Sequence, residues 1–500
     1  MPPFFARLLV CLFFGIVLAT GISDAIFSWL GRKPPGSAVE RKMPRPPFNW
    51  KVFWKGDWTV DTEEWLQNRS WLAHGTAAKY RELTFEIAGR TPGNVIKGKN
   101  DWLFLDTTIE TPSDQYLEKQ MTILFDKLTL YRERFREQGI PMVVLLIPNS
   151  ATLFPENTPS WMRGSEAGSK FIERLSEGLR NRGIPTYDST AAMRAAERPG
   201  KTVFFRADNH WTYRGAQVAT EGLAVYLAEA GFIRPRIDPV FRIDWRDDVQ
   251  SKGGILKMLG FWEGSKLSKR FYEPMQVPSF LPTSQRPTAR VGWSGTSFSN
   301  YESPDFFATA WGASVEKITR PAKGSDFTAG WALKHFESSE SMPPDFVVLE
   351  FPEYHLVGKN QVGGDLNEIR LGLPPLKSSQ LTPCHWEAIN GKGLQAVAGE
   401  PGKWRVTSRD PSLEIQLTEP ALELQLEIAL SQTRLKSQIR VRGSTETRLP
   451  CFDGGGFLKY RFPRKKSAAR WQISWSRVEP GQILEIGSVS RPKIAGLNPE

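Results

Sequence analysis

The sequence predicts an α/β protein in two parts: a layered domain built on a mainly parallel sheet, followed by a C-terminal β-sandwich. Two observations carry this prediction. Between about residues 116 and 351, helix-period stretches alternate with short Val/Ile/Leu runs, the rhythm of parallel strands joined by helices. Beyond about residue 378 the period falls to two, and no helix separates the runs. With 500 residues, 40% of them hydrophobic, the chain has enough material for two or three packed domains.

The elements follow in order. Residues 1–30 are apolar, from Leu8 through Thr20 and again over Ile26–Leu30, with Asp24 between. The uninterrupted stretch is shorter than the ~20 residues a spanning helix needs, as in a signal peptide. Ser23-Asp24-Ala25 is nevertheless an indifferent cleavage site, and apolar residues continue beyond it. The segment therefore reads as an uncleaved membrane anchor, with a cleaved signal as the alternative. Residues 31–60 are a linker, because Arg32-Lys33-Pro34-Pro35-Gly36 and Pro44-Arg45-Pro46-Pro47 deny regular structure.

The layered domain occupies 61–356. A helix is expected from Thr62 to Glu86. A long amphipathic helix follows at Tyr116–Gly139, with Leu117, Met121, Leu124, Leu128 and Phe135 on one face. A buried strand spans Met142–Ile147, and helix Lys170–Arg182 with strand Ile184–Tyr187 repeats the unit. Thr202–Phe205 is a short apolar β-type run, and an alanine-rich helix runs from Tyr213 to about Ala230. Residues 233–290 break the rhythm: they are basic, aromatic and punctuated by Pro and Gly. This stretch is a possible lid or substrate-binding insertion. A strand at Arg290–Trp293, a helix from Asp305, a strand and helix between 315 and 341, and a last core strand at Asp345–Phe351 complete the domain. Residues 357–378 are a linker. Residues 379–500 carry the alternating runs, such as Leu413–Leu417 and Trp471–Trp475, and could serve as a carbohydrate-binding module. Trp386, Trp404, Trp471 and Trp475 either stack on sugars or fill the core.

Two short motifs about ninety residues apart carry chemistry: Asp208-Asn209-His210-Trp211 and Gly295-Thr296-Ser297-Phe298-Ser299. A serine hydroxyl is a weak nucleophile at neutral pH and needs a histidine to take its proton. The histidine in turn needs an acid to fix its tautomer and steady the imidazolium. An Asp two residues before a His in an extended segment puts both side chains on one side of the backbone. Of five histidines, His210 alone has such a neighbour. Both motifs fall between a strand-like run and a helix, where α/β proteins place their chemistry. Gly295 permits a tight turn, and the N–H groups after Ser297 could form part of an oxyanion hole. Taken singly, Asp-x-His is most often a solvated loop and Gly-Thr-Ser a plain turn.

At these residues the chain resembles the alginate O-acetyltransferase AlgJ/AlgX family, whose catalytic domain is a variant of the SGNH-hydrolase fold. The likeness covers most of residues 60–355. It includes Gly98-Lys99-Asn100-Asp101-Trp102-Leu103-Phe104, Val143–Pro148 with Phe154-Pro155-Glu156, and Val347–Glu353, with the Asp-x-His motif ahead of the serine. The resemblance implies an SGNH-hydrolase-like layered domain with Ser297 as nucleophile, His210 as general base and Asp208 as its orienting acid. It implies O-acetyl transfer to an exported polysaccharide, a periplasmic location at the inner membrane, and a membrane-bound O-acyltransferase as acetyl donor. Two positions depart from the family pattern. Pro148-Asn149-Ser150-Ala151-Thr152 stands where many relatives carry a lysine, and Tyr354 and His355 stand where relatives tend to carry an arginine.

The same three residues would serve an acetylesterase, with water in place of the sugar hydroxyl. A third reading is a noncatalytic glycan-binding subunit of a secretion complex. The net charge of +11 permits an acidic partner. No zinc-finger spacing, RNA-binding signature or long Lys/Arg block accompanies it, which argues against nucleic acid. No Cys-x-x-Cys or His/Cys cluster suggests a metal, and no cofactor is expected. Cys384 and Cys451 form a disulfide in an oxidising compartment or remain buried thiols.

Overall fold

The computed structural model describes residues 71–492 apart from short segments, chiefly 162–169, 233–238, 320–324, 358–379, 432–437 and 451–457. The expected anchor and linker at residues 1–60, most of the 357–378 linker, and Cys451 lie outside the described residues. Among those described, no helix is long and apolar enough to cross a membrane, and Cys384 is a free thiol.

Helix α1 (Trp71–Ala88) leads into the hairpin β1 (Val95–Lys97) and β2 (Leu103–Leu105). The layered domain then runs α2 (Asp114–Glu137), β3 (Met142–Ile147), α3 (Phe171–Arg180), β4 (Thr186–Asp188), α4 (Thr190–Ala196) and α5 (Tyr213–Glu229). A second hairpin, β5 (Phe241–Ser251) and β6 (Glu273–Pro282), encloses the short helix α6 (Gly254–Leu259). The chain continues through β7 (Ala289–Gly295), α7 (Ser303–Trp311), β8 (Ala313–Thr319), α8 (Ser325–Ser338), β9 (Phe346–Pro352) and α9 (Glu353–Val357).

Five strands form one parallel sheet in the order β4-β3-β9-β7-β8. Strand β3 reads as an unbroken apolar run because helices cover both faces of the sheet. Val144 and Leu146 face α2, α3 and α8, whereas Val143, Leu145 and Ile147 face α5 and α7. Six successive residues of β3 are thus buried. The side-chain cap of Ser113 on Tyr116 N starts α2, and Thr212 accepts from Gly215 N at the start of α5. Helix α5 starts from its cap Thr212, two residues after His210, so its first turn helps fix where that residue points.

One expected strand is absent. Thr202–Phe205 does not join the sheet; Phe204 instead bridges Trp211 across a tight loop, with Thr212 N donating to Val203 O at 2.9 Å. Burial of Val203 and Phe204 explains the apolar run without a strand. The Asp-x-His motif sits at the tip of this loop.

Beyond residue 380 the described residues form nine antiparallel strands, β10 (Leu381–Pro383), β11 (Trp386–Lys392), β12 (Leu394–Ala396), β13 (Lys403–Val406), β14 (Ser412–Leu430), β15 (Gln438–Val441), β16 (Leu449–Pro450), β17 (Leu458–Ser476) and β18 (Ile483–Pro492). The long strands β14 and β17 shift register near Ala421 and are shared by two leaves. The first half of β14 is flanked by β11, the second half by β18. Trp386 on β11 meets Trp404 on β13, ring centroids 6.3 Å apart, so the leaves pack face to face. Trp404, Trp471 and Trp475 are core residues, and Trp386 alone of the four is half-open.

Candidate active site

The site lies at the C-terminal edge of the parallel sheet, where β7, β9 and β3 end. Ser297 opens a one-turn 3-10 helix directly after β7. Gly295 is required at the strand end: a Cβ there would stand 1.9 Å from Ser299 Oγ and 3.0 Å from Glu350 Oε1. The two motifs then meet. His210 Nε2 is 2.8 Å from Ser297 Oγ, and His210 Nδ1 is 2.6 Å from Asp208 Oδ1. All three residues named from the sequence are therefore in one hydrogen-bonded row. Trp211 locks the loops together, its indole N–H donating to Phe298 O at 3.0 Å.

Asp208 is buried, at 6% exposure. Burial opposes its charge, but hydrogen bonding and attraction from His210 and the backbone N–H of Gly254 win, holding its carboxyl below the usual value. With the ring proton on Nδ1, toward Asp208, His210 has Nε2 free to accept from Ser297 Oγ. The insertion makes this possible. Gly253 adopts φ +62° with its Cα close under Ala207 O, and so presents Gly254 N to Asp208. Glu273, at the start of β6, binds Arg206 twice at 2.9 Å and grips the same loop from its other side.

Sequence reasoning missed several residues that shape the site. Glu350, 1% exposed on β9, accepts from Ser299 Oγ at 3.0 Å, Ser303 Oγ at 2.9 Å, and Thr296 N and Trp293 Nε1 at 3.3 Å each. Four donors from β7, the Ser297 turn and α7 thus converge on one carboxyl group. Burial pushes its pKa up to about 7 against those hydrogen bonds. A glutamate inside a run buried on both faces was the available signal. Of the N–H groups in the Ser297 turn, Phe298 N lies 3.5 Å from Thr296 Oγ1 and Ser299 N donates to Thr296 O at 3.2 Å. The Tyr354 ring packs on Phe298 beside the Ser297 turn, ring centroids 6.2 Å apart. Burial, then the charge of Asp208, pushes its phenol well above the usual value, so it remains a proton donor.

The two segments that depart from the family pattern are tied to each other. Asn149 N and Thr152 Oγ1 each donate to Glu353 Oε2 at 2.7 Å, and Tyr354 N donates to Asn149 Oδ1 at 3.1 Å. His355 is buried, and burial followed by repulsion from His210 lowers it to about 3. It is neutral and turned away from solvent. Phe298 and Tyr301 pack on the His210 ring at 4.8 and 5.5 Å between centroids, which limits its rotation. Among the described residues no group of His, Cys, Asp and Glu is arranged to hold a metal ion.

Residues 95–353 match the family model described as an SGNH hydrolase-like domain of the acetyltransferase AlgX. A probable alginate O-acetylase AlgJ from Pseudomonas syringae pv. tomato is 22% identical over 323 residues, covering 62% of this chain and 81% of that protein. The solved O-acetyltransferase domain of Pseudomonas putida AlgJ is 23% identical, covers 54% of this chain and 94% of its own, and superposes with a TM-score of 0.46. The structure of Pseudomonas aeruginosa AlgX is 15% identical, covers 80% and 94%, and superposes with a TM-score of 0.49.

Proposed function

The chain belongs to the AlgX-type acetyltransferase family with an SGNH hydrolase-like domain, and from that premise we propose that it transfers an acetyl group through Ser297 onto hydroxyls of an exported polysaccharide. His210 takes the Ser297 proton as Oγ attacks the acetyl carbonyl of the donor. The tetrahedral intermediate collapses, the donor's leaving group departs with the proton, and Ser297 carries an acetyl ester. His210 then deprotonates a sugar hydroxyl, which attacks the ester and releases Ser297. Tyr354 donates to the oxyanion in both halves. What supports this reading is the row Asp208–His210–Ser297, at 2.6 and 2.8 Å, with the Tyr354 hydroxyl beside it.

The partners follow from the same proposal: an exopolysaccharide as acceptor, and a membrane-bound O-acyltransferase as donor. The protein works in the periplasm, held to the inner membrane by its N-terminal segment. No cofactor takes part. The test incubates the full chain in detergent with a small activated acetyl ester and a panel of oligosaccharides, following acetate, acetylated sugar and acetyl-Ser297 by mass spectrometry. Acetylated sugar from the parent protein and none from Ser297→Ala is expected. Free acetate alone would make the protein an esterase, and no turnover or adduct would make it a binding protein.

A further inference from the structure

Glu350 grips the chain on both sides of Ser297. Its Oε1 accepts from Thr296 N, one residue before the nucleophile, at 3.3 Å, and from Ser299 Oγ, two residues after it, at 3.0 Å. Its Oε2 accepts from Ser303 Oγ at 2.9 Å, Ser299 Oγ at 3.1 Å and Trp293 Nε1 at 3.3 Å. Strand β7, the 3-10 turn after it and the first residue of α7 are thus tied to one buried group on β9.

The chemistry of the donors makes a carboxyl group hard to replace. A carboxylate offers about four lone-pair sites, and the four donors fill them. Thr296 N and Trp293 Nε1 cannot reverse and become acceptors, and they lie on different oxygens. An amide in this place therefore turns its own N–H toward one of them, whichever way it is flipped. The serine hydroxyls can rotate to suit an amide, but the two N–H groups cannot. Gly295 makes room for the carboxyl group, since a Cβ there would stand 3.0 Å from Glu350 Oε1 and 1.9 Å from Ser299 Oγ. Thr296 O also accepts from Ser299 N at 3.2 Å, so a shift of Thr296 is carried across Ser297.

We propose that Glu350 is a positioning residue for the nucleophile: by holding Thr296 and Ser299 it sets the approach of Ser297 Oγ to the acyl carbonyl, with His210 Nε2 at 2.8 Å on the other side. This role presupposes the acyltransferase reading, with Ser297 as nucleophile. At 1% exposure Glu350 is out of reach of both the acetyl donor and the acceptor. Its removal therefore acts on the chemical step, lowering kcat while KM stays. A displacement of about 1 Å at a reacting atom can cost about 10²-fold in rate.

The test uses the full chain in detergent and two probes that need no sugar. One is the formation and turnover of acetyl-Ser297 with a small activated acetyl ester, followed by mass spectrometry. The other is the rate at which phenylmethylsulfonyl fluoride labels Ser297, with Ser297→Ala as the blank. Glu350→Gln should lower both rates by about ten- to hundredfold and leave the KM for the ester within about twofold. Ser299→Ala, which removes the donor shared by both oxygens, should lower them by about three- to tenfold. Adding Ser299→Ala to Glu350→Gln should cost less than about twofold more, because the two residues act as one unit. Urea unfolding of each variant ensures that rates are compared between folded proteins. If Glu350→Gln does not fold, Ser299→Ala carries the test alone. A parental rate of Ser297 labelling in the folded variants, or a change confined to KM, would overturn the positioning role and leave Ser297 as nucleophile. Full additivity of the two substitutions would also overturn it. No Ser297-dependent labelling of the parent by either probe would remove the nucleophile, and the positioning role with it.

Discussion

At Asp208, burial and hydrogen bonding pull in opposite directions, and hydrogen bonding prevails. Asp208→Asn keeps an acceptor for Gly254 N but loses the charge that steadies an imidazolium. Its expected effect is a fall in kcat of about 10³- to 10⁴-fold with KM changed far less, read from Ser297-dependent acetylation. Glu350 shows the opposite balance, its pKa raised to about 7 by burial. Between the ordinary carboxyl value and 7, the folded state holds a proton that the unfolded state has released. Stability from this group is therefore fully present at low pH and is lost as pH rises through that window. Glu350→Gln removes the dependence. Relative to the parent, the variant should gain up to ~3 kcal/mol between pH 4.5 and 7.5, measured by urea unfolding at each end. An equal offset at both pH values would show that folding leaves the Glu350 carboxyl unshifted. The Asp-x-His and Gly-Thr-Ser pair was legible in the sequence because its chemistry is local to two short motifs. Tyr354 stood out only as a departure from the family pattern, and Glu350 did not stand out, because its role depends on which strands lie next to β7.

The elements of the catalytic layer were legible where one physical pattern ruled. Strand β3 is apolar throughout because both its faces are covered, and α2 shows its buried face at helical spacing. Thr202–Phe205 misled because apolar content alone cannot separate a strand from a buried loop. The insertion was legible only as a break in rhythm. Its contribution at Asp208 depends on Gly253, where an added Cβ would stand 2.2 Å from Ala207 O and φ is +62°. Gly253→Ala should destabilise the protein by about 1–3 kcal/mol and lower kcat at least tenfold, as Gly254 N moves off Asp208. Thermal unfolding and acetyl transfer would be followed on the same preparation. A stable variant with full activity would mean that the Gly254 contact contributes nothing to the reaction.

Across the whole molecule, the two parts share a core. One hydrophobic cluster runs from α2 and α8 through the strands of the C-terminal unit. A buried ionic group closes that junction. Arg134 Nε on α2 donates to Glu337 Oε1 at 2.7 Å, Lys334 Nζ lies 3.2 Å from Glu337 Oε2, and Lys334 sits over the Tyr460 ring of β17 at 5.9 Å. Glu337→Ala would leave two cations buried around a vacated site. A loss of about 3–5 kcal/mol is expected, read by chemical denaturation with probes in both parts. A loss under 1 kcal/mol would show that water reaches the junction.

By itself the sequence determined the α/β class, the change to antiparallel strands, and the residues able to activate a serine. Periodicity and side-chain chemistry are properties of short stretches, and they survive without knowledge of neighbours. Only the tertiary structure decided that Gly254 supports Asp208, that Glu350 gathers the Ser297 turn, and that Tyr354 stands beside that turn. Each of these joins residues 46 to 57 positions apart. Such contacts depend on strand order and loop path, which local sequence patterns do not encode.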